Sequence, residues 1–188
     1  MQNSIIVFAR KPLLGKVKTR LAAEIGDENA LKEYTSLLTN TIAVSRKANA
    51  TQRIYWSESE NKTELVQKGN DLGERMFNAL TEELKVHKKA CLVGTDVPLL
   101  TAEIINQAFE ALNTCDIVFG PSTDGGYYLV ALKNFVPKEL FLNKTWSHPS
   151  VLKEALAICK ELDLRTYLTP TLLDIDTKKD LENWKNQT

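Results

Sequence analysis

Apolar positions along the chain follow two rhythms. Ile5, Ile6, Val7 and Phe8 form an unbroken run, as in a strand covered on both faces. From about residue 28 to 48 the spacing changes. Leu31, Tyr34, Leu37, Leu38, Ile42 and Val44 recur roughly every three to four residues, which predicts a helix. Leu72, Met76, Leu80 and Leu84 form a second stripe of this kind, over about 72–85. A third carries Ile105, Ala108, Phe109 and Leu112, with Thr101 as its N-cap. A fourth carries Leu152, Ala155, Leu156, Cys159 and Leu162. Thr177 is placed to cap a final helix through Trp184. Between these stripes, short β-rich runs predict strands at 53–57, 90–93, 117–119, 127–132, 165–168 and 172–175.

Strands alternating with helices imply βαβ units. The predicted fold class is α/β, with a mostly parallel sheet and helices on both faces. The 127–132 strand follows 117–119 too closely for a helical crossover. An antiparallel neighbour fits that spacing and would make the sheet mixed. No linker, repeat or low-complexity stretch interrupts the pattern, so one domain over 1–188 is expected.

Composition narrows the class. A chain of 188 residues that is 43% hydrophobic can bury an ordinary core without a metal or disulfide staple. The three cysteines, Cys91, Cys115 and Cys159, are far apart and sit in apolar segments. They read as buried free thiols and point to a reducing, cytoplasmic location. No signal peptide or stretch long enough for a membrane span is expected. The net charge is +0, with 24 basic and 24 acidic residues, which argues against a nucleic-acid partner. The distribution is uneven, however. Residues 10–20 hold Arg10, Lys11, Lys16, Lys18 and Arg20 with no acidic residue, while 174–182 are mostly acidic.

Four polar clusters fall at predicted strand ends, where open α/β sheets bind ligands. The first is the basic loop around Gly15, which is neither a P-loop nor a GxGxxG fingerprint. A helix N-terminus with fixed cations suits a phosphate or diphosphate, and a solvated loop explains it equally. The second is Gly94-Thr95-Asp96-Val97-Pro98. Asp96, just after a buried strand, is placed to hold a hard cation such as Mg²⁺, or else to close a turn. The third is Ser122-Thr123-Asp124-Gly125-Gly126. Asp124 suits substrate hydroxyls, a metal or a base, and turn chemistry alone also accounts for it. The fourth is Asp174-Ile175-Asp176-Thr177, in which Asp176 could complete a metal site or simply precede a helix cap. His87 lies among lysines and is expected to be solvated; His148 falls in a loop with Trp146. No GxSxG or nucleophile–base pairing supports covalent catalysis.

The segments FARKPLLGKVKTRL, DLGERMFNAL, LVGTDVPLL, VFGPSTDGGYYLVAL, TWS and DIDTKKDL, in that order, span nearly the whole chain. On them the sequence resembles the nucleotide-diphospho-sugar transferase superfamily of GT-A fold. Within it, the chain is similar to a small bacterial family of glycosyltransferases associated with radical-SAM genes. The basic loop also resembles that of 2-phospho-lactate guanylyltransferases. The resemblance implies a Rossmann-like GT-A sheet. It places Lys11, Gly15, Lys18 and Arg20 at the nucleotide phosphates and Leu72, Gly73 and Arg75 near the base or ribose. It puts Asp96 and Asp176 on a Mg²⁺ or Mn²⁺ ion, and Asp124, Gly125 and Gly126 on the sugar or acceptor side. Trp146 falls where substrate would meet its loop. The Gly-rich loop of sugar-phosphate nucleotidyltransferases is replaced by the Lys-rich loop.

The expected activity is metal-dependent glycosyl transfer from a nucleotide-diphospho-sugar to a small-molecule acceptor. Here Lys18 and Arg20 stabilise the leaving diphosphate and Asp124 orients or deprotonates the acceptor. Two alternatives stand beside it. One is nucleotidyl transfer to a phosphorylated acceptor with release of pyrophosphate. The other is a nucleotide-binding module without turnover.

Overall fold

The computed structural model describes residues 2–186; Met1, Gln187 and Thr188, at the bounds of the expected domain, lie outside the described residues. The described residues build seven strands into one sheet. The first half runs β1 (Asn3–Ala9), α1 (Thr19–Ile25), α2 (Asp27–Lys47), β2 (Thr51–Trp56), β3 (Leu65–Val66) and α3 (Leu72–Leu84). The second half runs β4 (Lys89–Val93), α4 (Ala102–Ala111), β5 (Ile117–Pro121), β6 (Tyr127–Lys133), α5 (Val151–Glu161), β7 (Thr166–Leu168) and α6 (Lys178–Lys185), with a 3₁₀ turn at Lys138–Leu140. The spatial order is β3-β2-β1-β4-β6-β5-β7.

The sheet is mostly parallel and mixed, as the hydrophobic pattern predicts. β1 pairs in parallel with both β2 and β4, and β5 with β7. Only β6 runs antiparallel among the described strands, between β4 and β5. The carboxyl ends of β1, β2, β4 and β5 therefore share one edge. The start of β6, Tyr127 and Tyr128, comes back to that edge.

Alternation within β1 shows why its apolar run has no gaps. Ile5, Val7 and Ala9 pack with residues of α2 and α4, including Tyr34, Leu38, Ile105 and Phe109. Ile6 faces the other way, onto Met76 and Leu80 of α3 and Cys159 of α5. Both faces are covered, so both parities must be apolar. A third cluster joins Leu21 of α1, Leu37 of α2, Leu181 of α6 and Ile175. It fixes the C-terminal segment against the helices that follow the basic loop.

Two local expectations change. Residues 172–175 do not form a strand: Leu172 makes an isolated bridge to Ser122, and the chain then turns to bury Ile175 in the third cluster. β3 went unpredicted because two residues carry no periodicity. Thr101 and Thr177 do cap α4 and α6, the latter through a capping box with Asp180. The three cysteines are free and buried. Among the described residues no helix is long and apolar enough to cross a membrane.

Candidate functional site

The strand order reverses at β1: the chain leaves it for β2 on one side and returns to β4 on the other. A crevice at the carboxyl edge follows from that reversal. A cavity of about 690 Å³ occupies this place. The basic loop and the start of α1 contribute Arg10, Lys16, Lys18 and Arg20, and the loop after β4 contributes Asp96. Asp176 comes from the C-terminal segment, Leu72 and Arg75 from α3, and Trp146 from the loop before α5.

The loop is held rather than loose. Tyr34 of α2 accepts a hydrogen bond from the Arg10 backbone N–H at 2.8 Å and donates to its carbonyl at 2.9 Å. Lys18 then adopts a left-handed conformation, φ 49° and ψ 43°, at the start of α1. For a residue with a Cβ this costs energy, ~1–3 kcal/mol, and persists where surrounding contacts compensate. The compensation is visible. Lys18 Nζ lies 2.8 Å from Asp96 Oδ1 and 3.1 Å from Asp176 Oδ1, and it also donates to the Ile175 carbonyl. Arg20 reaches the other oxygen of Asp176 at 2.5 Å. The Ile175 N–H donates to the Asp96 carbonyl at 2.9 Å, which docks the C-terminal segment onto the end of β4.

Two carboxylates thus converge on one cationic point at the cavity wall. Among the described residues no group of three or more His, Cys, Asp or Glu is arranged to hold a metal ion. Mg²⁺ and Mn²⁺ nonetheless fit this donor chemistry. Hard cations in transferase sites commonly take one or two carboxylates and complete their shell with substrate phosphates and water. Asp96 and Asp176 supply such a pair, beside a basic loop suited to phosphates.

Several residues expected here lie elsewhere. The Lys11 ammonium is buried under the β2–β3 loop, 2.5 Å from Glu64, 3.5 Å from Glu60 and 4.4 Å from the centroid of the Trp56 ring. Burial opposes its charge, but the hydrogen bond it donates to Glu64 and the two carboxylate charges outweigh this and raise its pKa. Lys11 anchors a loop instead of reaching into the cavity. Gly15 makes a turn at φ +71° and does not line the cavity. Gly73 does not line it either. A Cβ there would sit 1.9 Å from the Phe141 carbonyl and 2.8 Å from Trp146 Nε1, so it permits close packing of α3 against the Trp146 loop.

Asp124, Gly125 and Gly126 are also outside the cavity lining. Asp124 Oδ1 accepts from Ser122 Oγ at 2.5 Å and from the Gly126 N–H at 2.8 Å, closing the β5–β6 turn. Gly125, at φ +92°, packs against Pro149; a Cβ would meet that carbonyl at 2.1 Å. In this structure these three residues build the β5–β6 turn beside Pro149. His87 is not solvated: its ring, 12% exposed, sits 3.2 Å from the Glu83 carboxylate. The sequence reading missed Tyr34, which pins the loop. It also missed Asp71, which caps α3 and lines the cavity beside Leu72.

Asp174, named only within its cluster, is electrostatically exceptional. Burial, and then the charges of Asp124, Asp176 and Asp96, push its carboxyl up to about 6. An unfolded Asp titrates near ~3.9, so the folded protein holds this proton more tightly. That contribution is present at low pH and is lost as pH rises through about 6. Asp174→Asn should therefore raise the melting temperature at pH 8 and change it little at pH 4.5. Equal shifts at both values would show that the charge is not felt.

The fold is α/β and Rossmann-like, of the kind found in nucleotidyl- and nucleotide-sugar transferases. The chain belongs to the family described as uncharacterized proteins conserved in bacteria (DUF2064), whose profile matches residues 31–148. That stretch includes Asp96 but not Lys18 or Asp176. No curated protein matches the chain. Among solved structures, it is similar to a Desulfovibrio desulfuricans G20 protein provisionally named a nucleotide-diphospho-sugar transferase. The TM-score is 0.92 at 25% identity, over 99% of this chain and 87% of that one. The fold alone is shared with a cytidylyltransferase from Leptospira borgpetersenii (TM-score 0.59, 15% identity, 98% and 85% covered). It is shared likewise with Rv0371C of Mycobacterium tuberculosis H37Rv, solved with manganese (TM-score 0.58, 15% identity, 100% of each chain).

Proposed function

We propose that this protein is a metal-dependent glycosyltransferase that uses a nucleotide-diphospho-sugar donor and a small-molecule acceptor, as one domain over the whole chain. One observation carries the reading: Asp96 and Asp176 converge on a single cation at the wall of a cavity lined by Arg10, Lys16 and Arg20. A bound Mg²⁺ or Mn²⁺ would supply Lewis-acid stabilisation of the diphosphate leaving group. Asp96 and Asp176 would hold it. Arg20, Lys16 and Lys18 orient the diphosphate and offset the charge that grows on it as the sugar–oxygen bond breaks. Leu72 and Arg75, at the N-terminus of α3, form the wall beside the nucleoside. Trp146 closes the side where the sugar and acceptor would lie. The likeness to the Desulfovibrio protein supports the donor class, and the manganese-bound Mycobacterium tuberculosis neighbour is compatible with the metal.

Nucleotidyl transfer is the second reading. The four cations Arg10, Lys16, Lys18 and Arg20 at one cavity suit a triphosphate as well as a diphosphate, and the cytidylyltransferase fold is shared. A thermal-shift screen of nucleoside diphosphates, triphosphates and nucleotide-sugars with and without Mn²⁺ tests the common core. Stabilisation that grows with Mn²⁺ is expected; binding adds about 2.7 kcal/mol at a ligand concentration of 100 Kd. No stabilisation by any nucleotide would end both readings, and stabilisation indifferent to metal would favour a binding module. Free sugar or glycosylated product without pyrophosphate identifies the first reaction. Pyrophosphate release from a triphosphate identifies the second.

A further inference from the structure

Lys18 is a basic residue of the loop assigned to phosphates, yet its ammonium is already held by two carboxylates and a carbonyl. An ammonium group has three N–H donors. Here it donates to Asp176 Oδ1 at 3.1 Å and to the Ile175 carbonyl, and it forms an ion pair with Asp96 Oδ1 at 2.8 Å. The side chain is 5% exposed. Its backbone sits in the left-handed region, a conformation that these contacts stabilise. Arg20, the other cation on Asp176, is by contrast 69% exposed.

We infer that Lys18 is a built-in stand-in for the divalent cation. Its ammonium closes the Asp96–Asp176 pair in the free protein. It leaves that pair when substrate phosphates offer it other anionic oxygens, so that metal and nucleotide enter together. The inference rests on the metal-dependent reading above and concerns how that site is regulated. Its physical basis is competition. A metal ion and the lysine seek the same two carboxylates, so the metal's affinity for the free protein is lowered by the lysine's hold on them. A diphosphate that draws Lys18 away removes the competitor, and linkage makes the effect mutual: metal tightens nucleotide as much as nucleotide tightens metal. The device would keep the carboxylate pair from holding a metal ion without substrate.

The test measures Mn²⁺ binding, by loss of the free-ion paramagnetic resonance signal, to the full chain alone and with each of UDP, GDP, CDP and ADP. Wild type should bind Mn²⁺ weakly alone and at least tenfold more tightly with the preferred nucleotide. Lys18→Met should bind Mn²⁺ alone at least tenfold more tightly than wild type. Lys18→Gln, which keeps a donor for the Ile175 carbonyl, should do the same and serves where the methionine variant unfolds. Lys16→Met removes an equal charge from the same cavity without emptying the carboxylate pair, and should change Mn²⁺ affinity in the absence of nucleotide less than threefold. Equal Mn²⁺ affinity of wild type and both Lys18 variants without nucleotide overturns the inference and leaves the metal assignment standing. An effect of Lys16→Met as large as that of Lys18→Met also overturns it, since general charge would then explain the gain. Binding of Mn²⁺ by none of the proteins, with or without nucleotide, overturns the inference and the metal assignment together.

Discussion

Asp96→Asn is expected to lower kcat/KM by about two to three orders of magnitude, the range seen when one preorganised transition-state contact is removed. The side chain keeps its shape, so the loss reports charge. Asparagine is a poorer ligand for a hard cation and a weaker partner for the leaving diphosphate's counter-charge. The fold should survive. Lys18 retains Asp176 and the Ile175 carbonyl, and the Asp96 main-chain carbonyl still receives the Ile175 N–H at 2.9 Å. Melting temperatures of variant and wild type without ligand should lie within a few degrees. The Mn²⁺-dependent part of the nucleotide thermal shift should disappear. If Asp96→Asn turns over substrate within fivefold of wild type, or keeps the metal-dependent shift, the carboxylate pair is not the metal site.

Parts of this site were legible in the sequence for a definite reason. β1 and β4 are covered on both faces, so their apolar runs mark the strands, and the polar residues immediately after them mark the sheet edge. Lys18, Arg20 and Asp96 were singled out that way, whereas Asp176 was singled out after an expected strand at 172–175 that does not form. What those residues do to one another was not legible. Lys18 and Asp176 are 158 positions apart, and only the docking of Ile175 against Leu21 and Leu37 brings them together. Lys11 shows the opposite failure. It looks like its basic neighbours along the chain, but its partner Glu64 lies 53 positions away on a loop with no periodic signal. Gly125 and Gly126 invited a ligand-facing reading because paired glycines permit close approach. The close approach is real at Gly125, but it is to Pro149. Charge and glycine content locate a candidate edge; which cation is free and which is already spoken for depends on long-range packing.

Glu83 should give the largest stability effect. It lies at the C-terminal end of α3, outside the cavity lining, and is 2% exposed. Its carboxylate accepts from Ser4 Oγ of β1 at 2.7 Å, from Tyr55 Oη of β2 at 2.9 Å and from Arg53 Nε at 3.1 Å. His87 adds a fourth contact at 3.2 Å. Burial, and then the hydrogen bond to Glu83, raises the Tyr55 phenol well above its ordinary pKa, so it stays a neutral donor. Glu83→Ala leaves two buried hydroxyls and a guanidinium without their acceptor. Breaking a buried charged network from one side costs ~3–5 kcal/mol. Domains of this size are commonly stable by only ~5–15 kcal/mol. The variant should therefore show a much lower urea midpoint or accumulate unfolded. Glu83→Gln keeps the volume and one acceptor oxygen and should lose less, about 1–3 kcal/mol. In denaturant titrations the order wild type, glutamine, alanine is the expected outcome. An alanine variant within about 1 kcal/mol of wild type would mean that water replaces the carboxylate at the β1–β2–α3 junction, and that the network does not hold these elements together. The folded fraction of the glutamine variant should keep wild-type nucleotide affinity, because none of Ser4, Arg53, Tyr55 and Glu83 lines the cavity.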